Sequence, residues 1–288
     1  GKGDDGKGDD VTGDDDVTGD DDVKGDVTGD DGKGGDDEPA IAADESSETK
    51  FVSIGRFRGG TFPYIGYFSN SGASLARLEL IERNKAGELV YRTLAEKHGY
   101  LGYMALRTLP NGGCQVRVVG SATPVDLAVA EGVSGGLQVG DVIIEVNGNS
   151  CLSAAELNLL LVGILPGEVV ELTVTRTAGE DDEAVSRDIE FKVTLSEKPL
   201  VLIGDDDSED SPPKGRDAFT LAINQFKDQS SKVDTWAIAQ GEALDTKHWD
   251  IQKSKPGSVV FNTQYTKGAD VLEIEKTFQF SAPSKEAA

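Results

Sequence analysis

The sequence predicts a mainly β protein: a β-sandwich interrupted by a smaller inserted α+β module and preceded by a disordered acidic tail. Three observations predict it. Apolar and polar residues alternate in runs on both sides of the chain's middle, from Phe51-Val52-Ser53-Ile54 to the stretch Val271–Phe280, and a period of two marks half-buried strands. One segment, Ser153-Ala154-Ala155-Glu156, has the pattern of a helix start, with Ser at the N-cap and Glu three residues on. Residues 1–50 hold 19 Asp or Glu against 5 Lys, a net of −14 out of −24 for the 288 residues.

That first stretch is a repeat, Val11-Thr12-Gly13-Asp14-Asp15-Asp16 followed by Val17-Thr18-Gly19-Asp20-Asp21-Asp22 and shortened copies to Gly29-Asp30-Asp31. One valine per six residues buries too little apolar surface to offset the entropy of ordering the chain, so residues 1–50 are expected to be an extended, self-repelling linker. Clustered Asp with Gly resembles calcium loops in composition. The repeat has neither the spacing of an EF-hand loop nor that of a calcium β-roll, and loose counterion condensation is the expected behaviour.

Order is expected from Phe51, and residues 51–98 are read as the first part of the sandwich. Phe51–Gly55 and Pro63–Asn70 are strands, and a turn at Ser71-Gly72 leads to Ala73–Glu82. The alternation of that third strand puts Leu75, Leu78 or Leu80, and Ile81 inside if a bulge intervenes. A polar loop, Arg83 to Gly87, and the run Tyr91–Leu94 follow. A few antiparallel strands need a partner sheet, so this part does not close alone.

Residues 99–199 form the inserted module. A strand from Gly99-Tyr100-Leu101-Gly102-Tyr103-Met104 runs to the turn Pro110-Asn111-Gly112-Gly113 and returns as Cys114–Val119; Gly and Asn accept the positive φ of such turns. Gly136 to Gly148 reads as a turn, a buried strand and an Asn-Gly turn. The helix then covers Leu157 to Ile164, Pro166-Gly167 stops it, and Val169–Arg176 and Ile189–Leu195 alternate as the last strands, separated by the acidic loop Gly179–Glu183. Cys114 alternates with Val116 and Val118, and Cys151 follows the Asn147-Gly148 turn. Both are expected to be buried thiols, and the sequence does not decide whether they pair.

Residues 200–288 are read as the second part of the sandwich. Lys198–Ile203 leads out of the module, and Asp205–Pro213 is an exposed acidic loop. Phe219–Phe226 is read as one or two helical turns. Strands return at Thr235–Ile238, Trp249–Ile251, Ser258–Asn262 and Val271–Phe280.

Charge and motifs narrow the function. With 52 acidic residues against 28 basic ones the chain has no basic patch, which disfavours nucleic acid. No apolar run reaches 18 residues, so no segment is expected to cross a membrane as a helix. Met104 is the only methionine, and the chain is expected to be part of a longer one. His98 and His248 fit no metal spacing and read as surface or boundary residues. No Gly-x-Ser-x-Gly elbow occurs, and no helix follows Gly55–Gly60 to cradle a phosphate. Neither catalysis nor a cofactor is expected.

Two resemblances organise these readings. Gly-Leu-Gln-Val-Gly-Asp-Val-Ile-Ile-Glu-Val-Asn-Gly at 136–148, with Pro-Gly-Glu-Val-Val-Glu-Leu-Thr-Val-Thr-Arg at 166–176, resembles the PDZ domains of HtrA-type periplasmic proteases. Tyr-Phe-Ser-Asn-Ser-Gly-Ala-Ser-Leu-Ala-Arg-Leu-Glu-Leu at 67–80, with Val-Leu-Glu-Ile-Glu-Lys-Thr-Phe at 271–278, is similar to strands of the large periplasmic domain of YidC-type membrane protein insertases. The insertase's helical membrane core has no counterpart here. The PDZ resemblance implies a peptide added as a strand, its C-terminal carboxylate held by backbone N–H groups. It assigns Tyr100, Leu101, Gly102 and Tyr103 to the carboxylate loop, Met104 and Leu106 to the added strand's border, and Leu157, Leu160 and Leu161 to the pocket. Those leucines equally suit a module core, and the groove equally suits the protein's own chain.

Three functions follow as expectations. The first is a non-catalytic periplasmic portion of a YidC-like insertase, tethered to the bacterial inner membrane. Its implied partners are peptide C-termini or extended segments of membrane and periplasmic proteins, and the family admits Sec translocon components. The second is a PDZ adaptor or regulatory fragment of a periplasmic protease system. The third is a structural surface protein whose acidic tail is the working part.

Overall fold

In the computed structural model the described residues are 48–93, 98–179, 185–204, 218–221, 225–228, 235–238, 243–255, 257–267 and 270–281. They all fall in one of the two units into which the chain divides, Glu45–Ala288. The acidic repeat, Leu94, most of the loop 179–183 and the loop 205–213 lie outside the described residues.

The protein is mainly β, built from several antiparallel sheets and, among the described residues, one α-helix. Strands β1 (Phe51–Ile54), β2 (Tyr64–Ser69) and β3 (Ser74–Leu80) are followed by β4 (Arg107–Thr108), β5 (Cys114–Gln115), β6 (Val142–Val146) and β7 (Asn149–Ser150). Helix α1 (Ala154–Leu161) leads to β8 (Val169–Ala178), β9 (Val185–Thr194) and β10 (Leu200–Ile203). The chain closes with β11 (Gln225–Asp228), β12 (Thr235–Ile238), β13 (Asp250–Lys255), β14 (Ser258–Lys267) and β15 (Asp270–Gln279).

One sheet has the order β1-β2-β3-β10, so the chain after residue 199 returns to pair with a strand formed some 120 residues earlier, Leu200 opposite Leu80. Another has the order β13-β14-β15. The two share a core: Ile54, Phe68 and Leu75 from the first meet Val259, Phe261 and Tyr265 from the second, with Trp249 and Leu244 between. Strands β11 and β12 form a separate hairpin. Strand β13 is preceded by Trp249, whose Nε1 donates to the Leu244 carbonyl at 3.0 Å, which satisfies the one polar atom of a fully buried indole.

The strands β4-β5-β6-β8-β9 form the third sheet, with β7 also on β6. Val170, Leu172 and Val174 of β8 and Ile189, Phe191 and Val193 of β9 all point into one core, as their period of two requires. Asn147 (φ 50) and Gly148 (φ 75) make the left-handed pair that a two-residue hairpin between β6 and β7 demands.

Four expectations need correction. Helix α1 ends at Leu161, three residues early, because Gly163 takes φ +87 and turns the chain before Pro166 is reached. The hairpin expected from Gly99 to Val119 is paired only at Arg107–Thr108 and Cys114–Gln115, because Gly102 (φ +119) and Ala105 (φ +43) break the ladder ahead of Arg107. Phe226 belongs to β11 rather than to a helical turn, and residues 222–224 lie outside the described residues. The expected bulge in β3 is present between the pairs Tyr67↔Arg77 and Phe68↔Leu75. Beyond it, however, Arg77 and Glu79 are fully buried while Leu78 and Leu80 are only half-buried. The cause is that this sheet is covered on both faces.

Candidate functional site

The segment 99–108 lies along α1, fixed at both ends. Gly99 N–H donates to the Ile164 carbonyl (2.7 Å) just past the helix's C-terminus, and Ala154 N–H at its N-terminus donates to Thr108 Oγ1 (3.3 Å). Chain and helix therefore run in opposite senses. The helix starts where the capping box predicts: Ser153 Oγ accepts from Glu156 N–H (3.1 Å), while Glu156 Oε2 reaches back to Leu152 N–H (2.8 Å).

Leu101 and Met104 of the segment, and Leu157 and Leu161 of the helix, are buried in one cluster with Phe191, Val193 and Leu195. Leu106 and Leu160 are half-buried against it. Leu157 and Leu161 thus act mainly as core, and Leu106 and Leu160 are the apolar residues left at the border of segment and helix. Backbone geometry adds a second feature. Among the described residues, the N–H groups of Leu101, Gly102, Met104, Ala105 and Leu106 donate to no protein acceptor. The Leu101 carbonyl accepts from Val125 N–H (3.0 Å), and the Met104 carbonyl from both Arg117 and Val118 N–H (3.0 and 3.1 Å). Two carbonyls of the segment are therefore bonded into the protein, while these five N–H groups have no protein acceptor among the described residues.

Gly102 is required here. Its φ is +119, and a Cβ would come within 2.9 Å of Thr123 Cβ, a residue that is itself fixed by a hydrogen bond from its Oγ1 to the Gly120 carbonyl (2.7 Å). The stretch 120–125 thus forms a floor on which the glycine turn rests.

Tyr100 and Tyr103, expected in the same loop, turn their side chains away from α1 and into the sheet β1-β2-β3-β10. Tyr100 O–H donates to Glu79 Oε1 (2.7 Å), which also accepts from Arg77 Nε (2.6 Å). The Arg77 guanidinium lies 4.8 Å from the centre of the Tyr103 ring, and that ring meets Tyr67 edge-on at 4.8 Å. Burial, then the neighbouring Glu79 carboxylate, hold the Tyr67 phenol well above its ordinary pKa. Tyr100 N–H and carbonyl exchange hydrogen bonds with Ser196 (2.8 and 3.0 Å), so the segment is also tied to the end of β9. Arg77, Glu79, Thr108 and Thr123 were not foreseen as site residues. Two charges on an alternating strand carry no sequence signal of burial, Thr108 acts through the backbone of Ala154, 46 residues on, and Thr123 matters only because Gly102 packs on it.

Elsewhere, Asp141 of the Gly-Asp pair accepts a bidentate contact from Arg176 (2.7 Å on each oxygen) and a bond from Gln138 N–H (2.7 Å). These bonds raise the Arg176 pKa, and the pair locks β6 to β8. Its role is structural. His98 is half-buried with Nδ1 3.3 Å from the Gly99 carbonyl, and His248 lies 3.2 Å from Thr49 Oγ1. No cluster of metal-binding side chains occurs among the described residues, and no helix there is long and apolar enough to cross a membrane. No protein-family model and no curated protein matches the chain.

Proposed function

We propose that this protein is a peptide-binding module carried on a β scaffold. The observation that carries the reading is the segment 101–106: it lies along α1, its Leu101 and Met104 carbonyls are bonded into the protein, and the N–H groups of Leu101, Gly102, Met104, Ala105 and Leu106 have no protein acceptor among the described residues. An extended peptide entering there adds as a strand, donating and accepting along the segment while its side chains meet Leu106 and Leu160. The N–H groups of Leu101 and Gly102 suit a terminal carboxylate, since a charged acceptor gains most from fixed donors. With about 1 kcal/mol net per hydrogen bond, the affinity is on the order of micromolar.

More particularly, the reading is that of the non-catalytic periplasmic portion of a YidC-like membrane protein insertase, with a PDZ module inserted in its β-sandwich. It is supported by the motifs at 67–80 and 271–278 and by the return of the chain after residue 199 to the sheet of β3. Its ligands are C-termini or extended segments of membrane and periplasmic proteins. Titrating a library of peptides with varied C-termini against the whole chain tests the module: some members bind, and amidating their C-terminus abolishes binding. Binding unchanged by amidation defeats the carboxylate assignment. The location is tested by protease added to bacteria with permeabilised outer membranes, which cleaves the protein only if it faces the periplasm.

A further inference from the structure

The function proposed above makes no use of the two cysteines, which lie 37 residues apart in sequence and meet in the core of the third sheet. Their Sγ atoms are 3.6 Å apart, both residues are fully buried, and no disulfide joins them. The topology brings them there. Strands β5 and β7 pair with successive parts of β6, Cys114 opposite Ile143 and Ser150 opposite Glu145. Between those pairs Cys151 N–H donates to the Ile144 carbonyl (2.7 Å), and Gly113 N–H, next to Cys114, donates to the Leu152 carbonyl (3.1 Å). The two cysteines thus face one another where two short strands meet end to end, with both backbones already fixed by hydrogen bonds.

We infer that Cys114 and Cys151 are a site of covalent modification, closing to an intramolecular disulfide when the chain folds in the presence of a disulfide oxidant. The Sγ atoms need to approach by only about 1.5 Å to reach the bond length of about 2.05 Å, a movement within reach of the two side-chain torsions. One cysteine thiolate attacks a small-molecule disulfide such as oxidised glutathione, forms a mixed disulfide and expels one glutathione thiolate. The second cysteine thiolate attacks the protein sulfur of that mixed disulfide and expels the other. The two cysteine protons pass to the released thiolates, and the oxidant takes up the two electrons. Because both sulfurs are buried, the first attack takes place before the sheet has closed, and the finished bond is shielded from reductant. The ring so formed encloses β6 and the stretch 116–141, which has no helix or strand of its own, and a link across a long irregular loop removes much freedom from the unfolded chain. It also fixes the start of α1 to β5. The inference concerns these thiols alone and stands whether or not a peptide binds.

The test refolds the whole chain from denaturant in a glutathione redox buffer and, separately, in dithiothreitol, then alkylates each sample under denaturing conditions and weighs it. The expected result is a monomer that takes up no alkyl group after redox refolding and two after reduction. Its thermal midpoint is expected to be higher by about 5–10 °C in the oxidised form. The variant Cys114→Ala/Cys151→Ala is expected to melt at the same temperature with and without reductant. Two alkyl groups after redox refolding, glutathione adducts, covalent dimers, or a cross-linked monomer less stable than the reduced one each overturn the inference, and all are read on the natural sequence, whether or not the variant folds.

Discussion

The core beneath α1 and the seam between that module and the sheet β1-β2-β3-β10 are both closed to water, but they are made of different material. The first gathers Leu101, Met104, Leu157, Leu161, Leu172, Phe191 and their neighbours, and the ion pair of Asp141 with Arg176 lies at its edge with the guanidinium over the Phe191 ring. The second packs Phe57, Ile65, Tyr67, Ile81, Tyr100 and Val118 around the buried pair Arg77 and Glu79. An aliphatic core tolerates substitutions of similar volume, whereas a buried ion pair requires each partner in place. The difference teaches where orientation is set. The module's interior supplies its stability, and the seam supplies the one alignment in which Tyr100 reaches Glu79.

Removing one charge breaks the comparison most severely. Glu79→Ala deprives the buried Arg77 guanidinium of its carboxylate and is expected to cost about 3–5 kcal/mol in urea unfolding, while Arg77→Met/Glu79→Leu is expected to be close to neutral. A costly double variant would show that the pair stabilises by its charge. In the module, Leu157→Ala is expected to cost about 3 kcal/mol, read in the same way. If that substitution and Glu79→Ala shift separate unfolding transitions, core and seam are independent units; one shared transition makes them a single cooperative body. Gly102→Ala forces a side chain against Thr123 at a positive φ and is expected to cost about 2 kcal/mol and to abolish binding of C-terminal peptides. Retained binding would remove the loop from the site. Ser153→Ala deletes the acceptor for Glu156 N–H and is expected to cost about 1 kcal/mol, measured as a shift in urea midpoint.

The smallest effect at neutral pH concerns Tyr67. Its phenol is held well above the ordinary value of 10.0 by burial and by Glu79, so the unfolded chain loses that proton first. The stability it contributes is intact below pH 10 or so and falls as pH rises from there through the folded value. Tyr67→Phe is expected to blunt the alkaline decline in urea midpoint. A parallel decline in variant and parent would assign the loss to other groups.

Much of the module was legible in the sequence because its signals are local. The capping box at Ser153, the Asn147-Gly148 turn and the alternation of Val170, Leu172 and Val174 each state their structure within a few residues, and each is found in place. The helix end was misjudged because Pro166 is a louder stop than Gly163, although the glycine comes first. The break at Ala105 was hidden because alanine gives no warning of a left-handed conformation. The seam was illegible for another reason: whether Arg77 and Glu79 face water depends on what covers the second face of β3, and that cover comes from Tyr100 and Tyr103. Their hydroxyl and ring contacts exist only once residues far apart in the chain have met. For the segment 99–108, the sequence showed which residues lie near α1 but not that Tyr100 and Tyr103 turn outward to grip the sheet.

Tyr100 and Ser196 pair directly across antiparallel backbones, and Arg92 bridges to Pro199 just beyond them. The hundred or so residues between leave and rejoin the rest of the protein at neighbouring points. That long excursion also meets the rest of the protein along its way, Ser121 accepting from Phe57 N–H (2.8 Å) and Val118 packing with Ile65 and Tyr67, so its closure is supported by that seam as well as by its own core. Any chain put in its place would have to supply both the two neighbouring ends and the cover that Tyr100, Tyr103 and Val118 give the sheet.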